Sequence, residues 1–256
     1  MLYVSMFPSC GKMSIMSSLM SPVDRLVVAL DVPSAKEALD LARCLQGRVG
    51  VLKVGLELFC AEGPSIVRRI QEYAPVFLDL KLHDIPNTVK RALARALEPD
   101  PILTNIHALG GFEMMRAAAE VVQSHRQRGG RTKLLAVTVL TSMDRCALEQ
   151  LNILGEPIDQ VLRLSMLAQS AGCDGVVCSA MESAMLRVNM APGFLLLTPG
   201  IRPKGDKTQD QARVTTPSKA IESGSTWIVV GRPITHAPDP AAAAQAILSE
   251  ISASRA

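Results

Sequence analysis

The sequence predicts an α/β protein that folds as a single (β/α)8 TIM barrel, and three observations support this prediction. Short apolar or β-branched runs alternate with amphipathic stretches of helical period, which is typical of parallel strands joined by crossover helices. Eight such units follow one another from Arg25 onward with no break in composition. The length of 256 residues matches the ~250 residues typical of this barrel. A doubly wound open sheet is the main alternative, and eight successive parallel strands make it less favourable.

The predicted strands and helices alternate along the chain. The first strand opens with LVVAL, which is apolar throughout, as expected for a strand that is covered on both faces. The strands are predicted at residues 26–31, 51–55, 76–81, 102–107, 134–138, 175–178, 194–198 and 227–230. The helices are predicted at residues 35–45, 64–73, 87–97, 111–127, 157–171, 181–189, 217–223 and 239–252.

Two long polar segments interrupt this alternation, at residues 141–156 after strand five and at residues 201–217 after strand seven. Loops longer than about 12–15 residues are uncommon in compact domains, and they are usually functional or disordered. In a barrel both segments follow the carboxyl ends of strands, where active sites form. We therefore expect two loops that border an active site.

The first 24 residues differ from the rest of the chain, because they are rich in Met and Ser and lack a clear period. A secretory signal peptide would need a longer apolar stretch and a small-residue cleavage site, and this segment has neither in good form. We expect residues 1–24 to be a disordered and dispensable extension. Residues 25–256 are then expected to form one catalytic domain.

Composition favours a cytoplasmic protein with a small anionic ligand. The net charge of +3 is small, no block of five like charges is present, and aromatic residues make up only 3% of the chain. These properties argue against nucleic acid as a partner. The six cysteines show no C-x-x-C pair and no zinc-type spacing, as in reduced intracellular proteins. No apolar run approaches the ~18 residues that a membrane span requires.

Charged residues cluster at the ends of the first three predicted strands. They are Asp31, Lys53, Asp79, Lys81 and Asp84. Because side chains alternate along a strand, Asp79 and Lys81 are predicted to point to the same side. A salt-bridge network that closes the barrel end would be a purely structural explanation. Taking five charges out of water is costly, however, and stability is a weak reason to keep them, so a catalytic role is favoured.

The segment DLKLHDIPNT, residues 79–88, resembles the signature D-x-K-x-x-D-I-P-x-T of the orotidine 5′-phosphate decarboxylase family. The resemblance extends over nearly the whole chain from Arg25, in the order and spacing of the family. Its further elements are ALD ending at Asp31, LKVG around Lys53, VTVLTSM around Thr141, TPGIRP through Arg202, DQ at residues 210–211 and VVGRPIT around Arg232.

The resemblance implies an enzyme that converts orotidine 5′-phosphate to uridine 5′-phosphate and carbon dioxide in pyrimidine biosynthesis, with no metal and no cofactor. It implies that Lys81 donates a proton to C6 of the pyrimidine and that Asp79 lies against the departing carboxylate. Lys53 and Asp31 would hold the ribose hydroxyls. The family also implies a homodimer with shared active sites, in which three residues reach into the neighbouring subunit's site: Asp84, Ile85 and Thr88.

A lysine without a cofactor is a chemically reasonable catalyst for this reaction. Loss of carbon dioxide from C6 leaves a carbanion whose charge cannot spread into the ring, so catalysis depends on preorganised charge. A fixed ammonium stabilises this carbanion more than it stabilises the substrate, which lowers the barrier. Two charges ~4 Å apart at an effective dielectric of ~20 interact by ~4 kcal/mol, enough for a ~10³-fold effect.

The resemblance assigns the other end of the substrate to the last strands. Gly231 and Arg232 follow strand eight, where many barrels bind phosphate, and arginine offers a planar donor fork. The family implies that Gln211 grips the same phosphate group. Further substrate-binding residues implied by the resemblance are Thr141 and Ser142 at the pyrimidine edge, and Pro199 and Arg202 around the strand-seven loop.

Two other functions remain possible from the sequence. A magnesium-dependent sugar-phosphate decarboxylase or aldolase of the same barrel superfamily shares the D-x-K-x-x-D element, but such enzymes typically continue with D-x-G rather than DIPNT. A catalytically silent barrel that binds nucleotide phosphates is the alternative from another class, and intact Lys81 and Asp79 argue against it. His107 is predicted to have a structural role, because Lys81 already serves as the proton donor.

Overall fold

The computed structural model describes residues 20–203 and 215–253. Eight parallel strands pair in sequence order and close into a barrel, because β8 pairs with β1. The strands are β1 Leu26–Ala29, β2 Val51–Val54, β3 Val76–Leu82, β4 Leu103–His107, β5 Lys133–Val137, β6 Gly175–Val177, β7 Leu195–Thr198 and β8 Trp227–Val230. The predicted fold class is therefore confirmed, and each strand lies within one or two residues of its predicted bounds.

Helices surround the barrel and connect its strands. They are α1 Pro22–Arg25, α2 Ala35–Leu45, α3 Leu56–Glu62, α4 Ser65–Gln71, α5 Pro86–Ala96, α6 Gly111–Gln127, α7 Arg145–Gln150, α8 Pro157–Ser170, α9 Ala180–Asn189, α10 Pro217–Glu222, α11 Arg232–Thr235 and α12 Pro240–Ala253. Within the described part of the chain, no helix is long and apolar enough to cross a membrane.

Four of these helices, α1, α3, α7 and α11, are not predicted from the sequence pattern. None exceeds seven residues, which is too short to show a helical period. The predicted loop at residues 141–156 is corrected accordingly, because it contains α7. The Asp144 carboxylate caps this helix by accepting a hydrogen bond from the backbone N–H of Ala147 at 2.9 Å, and Leu148 is buried beneath it.

The strands carry apolar side chains on both faces, which explains the continuous apolar pattern of LVVAL. Val27 and Ala29 of β1 point into the barrel, where they pack with Phe77, Leu103 and Trp227. The alternate residues of β1 point outward into a second apolar layer beneath the helices. Because the barrel interior is filled, polar chemistry is confined to its ends.

The last residues of the predicted N-terminal extension, residues 20–24, pack against the barrel. Met20 contacts the apolar interior, and Val23 packs on the outer layer. Arg25 is buried, and its guanidinium donates a hydrogen bond to the carbonyl oxygen of Ser225 at 3.3 Å. A Cβ atom added at Gly50 would lie 2.6 Å from the carbonyl oxygen of Val23, so α1 rests directly on that glycine. Residues 1–19 lie outside the described residues.

We predict that a chain beginning at Met20 keeps the melting temperature of the full chain, whereas one beginning at Leu26 melts about 4–8 °C lower. The shorter chain loses the packing of Val23 and the hydrogen bond of Arg25, together about 2 kcal/mol, and each kcal/mol shifts Tm by roughly 2–4 °C at this size. Thermal unfolding followed by circular dichroism measures the difference. Gly50→Ala is the matched control, because it should destabilise the Met20 chain more than the Leu26 chain.

Candidate active site

A cavity of about 510 Å³ opens at the carboxyl end of the strands. Its walls divide into a charged side, an apolar side and a side built by the segments that follow β7 and β8. The apolar side includes Ala29, Phe77, Val137, Val177, Leu197 and Val229. A mostly apolar cleft with a few convergent polar groups is the usual form of a small-molecule site.

The charged side is a continuous row of alternating charges, hereafter the charged row, formed by Asp31, Lys53, Asp79 and Lys81. The Lys53 ammonium lies 2.8 Å from Asp31 Oδ1 and 3.3 Å from Asp79 Oδ2. The Lys81 ammonium lies 2.7 Å from Asp79 Oδ1. The side chains of Lys53 and Asp79 are each about 10% exposed, so the centre of the row is buried and its two ends reach the solvent.

Every member of the buried centre is held in its charged form. Burial alone would lower the pKa of Lys53, but the neighbouring carboxylates of Asp79 and Asp31 outweigh it and raise that pKa above its ordinary value. Burial alone would raise the pKa of Asp79, but the ammonium groups of Lys53 and Lys81 outweigh it and lower that pKa below its ordinary value. As the pH falls, Asp79 therefore keeps its negative charge to a lower pH than an ordinary aspartate, and as the pH rises, Lys53 keeps its positive charge to a higher pH than an ordinary lysine.

Gly55 makes room for one half of the charged row. A Cβ atom at this position would lie 2.8 Å from both Asp31 Oδ1 and Lys53 Nζ. The ion pair between Asp31 and Lys53 is itself 2.8 Å long, so any residue larger than glycine would push these two side chains apart. The glycine of the LKVG element is therefore required by close approach of charged side chains, a reason that the sequence alone does not reveal.

β3 is irregular where Lys81 leaves it. Lys81 has a φ of +50°, and the register between β3 and β4 shifts between Leu78 and Leu82. The bend also places the ring of His83 on that of His107, with centroids 5.3 Å apart. Burial, and then the nearby His83 and Lys81, lower the pKa of His107 below its ordinary value. His107 is not among the residues that line the cavity, and its lowered pKa leaves the imidazole neutral near pH 7. Its structural role remains a prediction.

Asn105 of β4 was missed by the sequence interpretation. Its side-chain amide is almost completely buried. The amide oxygen accepts a hydrogen bond from the backbone N–H of Lys81 at 2.8 Å, and the amide nitrogen donates one to Asp79 Oδ1 at 2.7 Å. An uncharged polar residue inside the apolar run of β4 was the available indication, because a buried amide must find partners.

The opposite side of the cavity contains the residues that the family resemblance assigns to the phosphate. Gly231 and Arg232 line it, where β8 ends and α11 begins. Arg202 is buried and donates a hydrogen bond to the carbonyl oxygen of Ile201 at 3.0 Å. Thr141, Ser142 and Pro199 line the same cavity, and so do Thr235 and His236, which were not predicted.

Three predicted site residues are described by the structure but are not in the cavity walls. Asp84, Ile85 and Thr88 lie at the start of α5, on the surface, where Ile85 is 67% exposed. Gln211 lies in residues 204–214, outside the described residues. At the ends of that segment, Ile201 and Thr215 form a parallel β-bridge. Over residues 20–203 and 215–253, no group of three His, Cys, Asp or Glu side chains is arranged to hold a metal ion.

Related proteins are identical to this chain at about half of the positions over most of its length. A protein from Nitrosococcus oceani named orotidine 5′-phosphate decarboxylase is 50% identical over 229 residues, which cover 89% of this chain and 97% of that protein. A protein of the same name from Halorhodospira halophila is 51% identical over 230 residues, covering 90% and 96%.

Solved structures agree with the sequence comparison. The crystal structure of orotidine 5′-phosphate decarboxylase from Lactobacillus acidophilus superposes with a TM-score of 0.77 at 39% identity, covering 88% of this chain and 98% of that chain. The enzyme of the same name from Pyrococcus horikoshii superposes with a TM-score of 0.72 at 26% identity, covering 89% and 99%. The model of the orotidine 5′-phosphate decarboxylase / HUMPS family matches residues 24–247, and this chain belongs to that family.

Proposed function

We propose that this chain decarboxylates orotidine 5′-phosphate to uridine 5′-phosphate, as a cofactor-independent carboxy-lyase of pyrimidine biosynthesis in the cytoplasm. The observation that carries the proposal is the charged row, which presents a lysine at the cavity from a buried network. Relatives at about half identity over most of the chain carry the name of this enzyme. They do not support the alternative of a magnesium-dependent sugar-phosphate decarboxylase or aldolase.

The proposed chemistry occurs at the exposed end of the charged row. The bond between C6 and the carboxyl group breaks, carbon dioxide leaves, and the electron pair stays on C6. The Lys81 ammonium stabilises that pair and then transfers a proton to C6, which completes the product. Asp79 lies beside Lys81, so a substrate carboxylate next to that ammonium would also meet the negative charge of Asp79. Departure of the carboxylate as neutral carbon dioxide relieves this repulsion.

The remaining cavity residues are proposed to hold the parts of the substrate that do not react. Asp31 and Lys53, at the other end of the charged row, would bind the ribose hydroxyls. Arg232 with the backbone of Gly231 would bind the phosphate, with Gln211 as a further partner. Thr141, Ser142, Pro199 and Arg202 are proposed as further substrate contacts. Binding of the phosphate keeps the pyrimidine in place, so remote contacts contribute to the rate.

A homodimer with shared sites is proposed from the residues outside the cavity. Asp84, Ile85 and Thr88 belong to the family signature but lie on the surface of their own subunit. Large apolar side chains that follow the carboxyl ends of β3 and β4 are exposed as well: besides Ile85, Leu109 is 40% exposed and Phe112 is 37% exposed. These residues lie at the starts of the adjacent helices α5 and α6. Exposed apolar patches of this kind favour a protein interface, and a two-fold interface would bring Asp84 to the partner's cavity.

We predict that Lys81→Ala abolishes decarboxylation, with a loss of at least ~10³-fold, because the ammonium acts in the transition state. The melting temperature and much of the affinity for uridine 5′-phosphate should remain. An ultraviolet assay of orotidine 5′-phosphate consumption measures the rate, and Lys90→Ala on the exposed face of α5 is the control. Turnover by Lys81→Ala within tenfold of the unchanged chain would falsify the mechanism.

We predict that Arg232→Ala lowers kcat/KM for the nucleotide by about 100-fold, the equivalent of ~3 kcal/mol from charge-assisted hydrogen bonds. The same change should barely affect the phosphate-free nucleoside, because it lacks the group that Arg232 binds. Steady-state kinetics with both substrates measures the difference. Arg128→Ala, at the opposite end of the barrel, is the control. Equal losses for both substrates would mean that Arg232 does not bind the phosphate.

We predict that two nearly inactive variants, Lys81→Ala and Asp84→Ala, recover activity when their subunits are exchanged. A mixed dimer with shared sites contains one site that carries both changes and one that carries neither. Random reassociation makes roughly half of the dimers mixed, so about a quarter of all sites are intact. The assay follows brief unfolding and refolding of the mixture, with exchange confirmed by mass spectrometry.

The control for subunit exchange is a mixture of Lys81→Ala and Asp79→Ala. Both residues belong to the charged row of one subunit, so every site in that mixture lacks one of them and no activity should return. If the mixture containing Asp84→Ala also stays inactive after confirmed exchange, Asp84 does not serve the partner's site.

A further inference from the structure

We propose that Asn105 is a positioning residue for the decarboxylation, which holds Lys81 in the backbone conformation that directs its ammonium to Asp79. Asn105 is not in the cavity walls and is proposed to act only through Lys81 and Asp79. The inference rests on the proposed function, because it assigns Asn105 to the same reaction.

The backbone of Lys81 needs external support. Its φ of +50° lies in the left-handed region, which costs a residue other than glycine roughly 1–2 kcal/mol. The register between β3 and β4 shifts between Leu78 and Leu82. The backbone N–H of Lys81 donates a hydrogen bond to Oδ1 of the Asn105 side chain at 2.8 Å. The side chain thus replaces a partner that a regular strand would find in the neighbouring backbone.

The other end of the same amide holds the partner of the lysine side chain. Asn105 Nδ2 donates to Asp79 Oδ1 at 2.7 Å, and this oxygen also receives the Lys81 ammonium at 2.7 Å. Asn105 therefore connects the backbone of Lys81 to the carboxylate that its side chain binds. This closed ring of contacts fixes both the backbone position of Lys81 in the strand and the position of its ammonium group.

Asparagine has the one side chain of this size that can serve both ends. An amide offers an acceptor and a donor at once, whereas a carboxylate offers only acceptors at neutral pH. Asn105 is 1% exposed, so water cannot readily replace it, and a buried unsatisfied group is costly. Removal of the amide would leave the Lys81 N–H without its acceptor and free the strand to relax toward a regular register.

The consequence for the reaction should appear in kcat rather than in KM. A reacting group displaced by ~1 Å can lose ~10²-fold in rate. The Asn105 amide is hydrogen-bonded to Lys81 and Asp79, and not to the described residues that are proposed to bind ribose and phosphate. Substrate should therefore still bind when Asn105 is changed, while the proton donor is no longer aligned with C6.

The test compares two variants at position 105 with a control in the same strand. Asn105→Ala should lower kcat by about 100-fold with little change in KM. Asn105→Asp should be poorly active at neutral pH, because its carboxylate repels Asp79, and should recover relative to the unchanged chain as the pH falls. A protonated carboxyl group offers one donor and one acceptor, as the amide does. Such recovery in kcat would not arise from a role in folding alone.

Thr104→Val is the matched control. Thr104 is buried in the same strand and donates a hydrogen bond to the carbonyl oxygen of Leu78 at 3.2 Å, so its hydroxyl is not the partner of either Lys81 or Asp79. This change should lower the melting temperature and leave kcat unchanged. An equal loss of kcat in Thr104→Val, or a kcat within threefold of the unchanged chain in Asn105→Ala, would overturn the inference.

Two readouts separate this inference from the proposed function. If the unchanged chain does not consume orotidine 5′-phosphate, the proposed function fails, whatever the variants do. A crystal structure of Asn105→Ala tests the positioning role without any activity. A displaced Lys81 backbone or a broken contact between Lys81 and Asp79 is the expected result. If Lys81 keeps its left-handed φ and its contact with Asp79, Asn105 is not the residue that positions it.

Discussion

A carboxylate placed between two ammonium groups and almost closed off from water is the interaction on which this site depends. Asp79 contacts both Lys53 and Lys81. The attraction between these opposite charges offsets part of the free energy that it costs to remove them from solvent. Burial alone would drive Asp79 and Lys53 toward their neutral forms, but in the charged row both remain ionised. The arrangement therefore holds a charged lysine at the cavity with no metal ligand set in the described residues.

The barrel supplies the conditions that make this interaction possible. Its interior is filled by apolar side chains, so the buried Asp79 carboxylate depends on Lys53, Lys81 and Asn105 for its polar contacts. The charges come from three adjacent strands, β1, β2 and β3, whose carboxyl ends meet at one rim. Gly55 removes the one Cβ atom that would separate Asp31 from Lys53. Specific backbone and packing features thus set distances that matter for charge and for catalysis.

The barrel and most of the cavity could be predicted from sequence, because they follow from periodicity and from a family signature. The bulge at Lys81 could not, since its left-handed φ depends on a partner in another strand, and Asn105 was missed for the same reason. Short helices such as α7 could not be predicted either, because six residues are too few to show a helical periodicity of apolar side chains. The packing of Met20 and Val23 on the barrel also escaped prediction, because tertiary contacts rather than local pattern order them.

The charged row also restricts how the first three strands can align. A slip of one residue between β1 and β2 would turn Lys53 from the cavity into the apolar layer beneath the helices, because neighbouring side chains face opposite sides. The lysine would then be buried without either carboxylate, a state that costs far more than a misplaced valine. Apart from the charged row, the residues of these strands are apolar, so their burial differs little in free energy between one strand register and another. The residues that perform the chemistry therefore also select the alignment of the sheet around them.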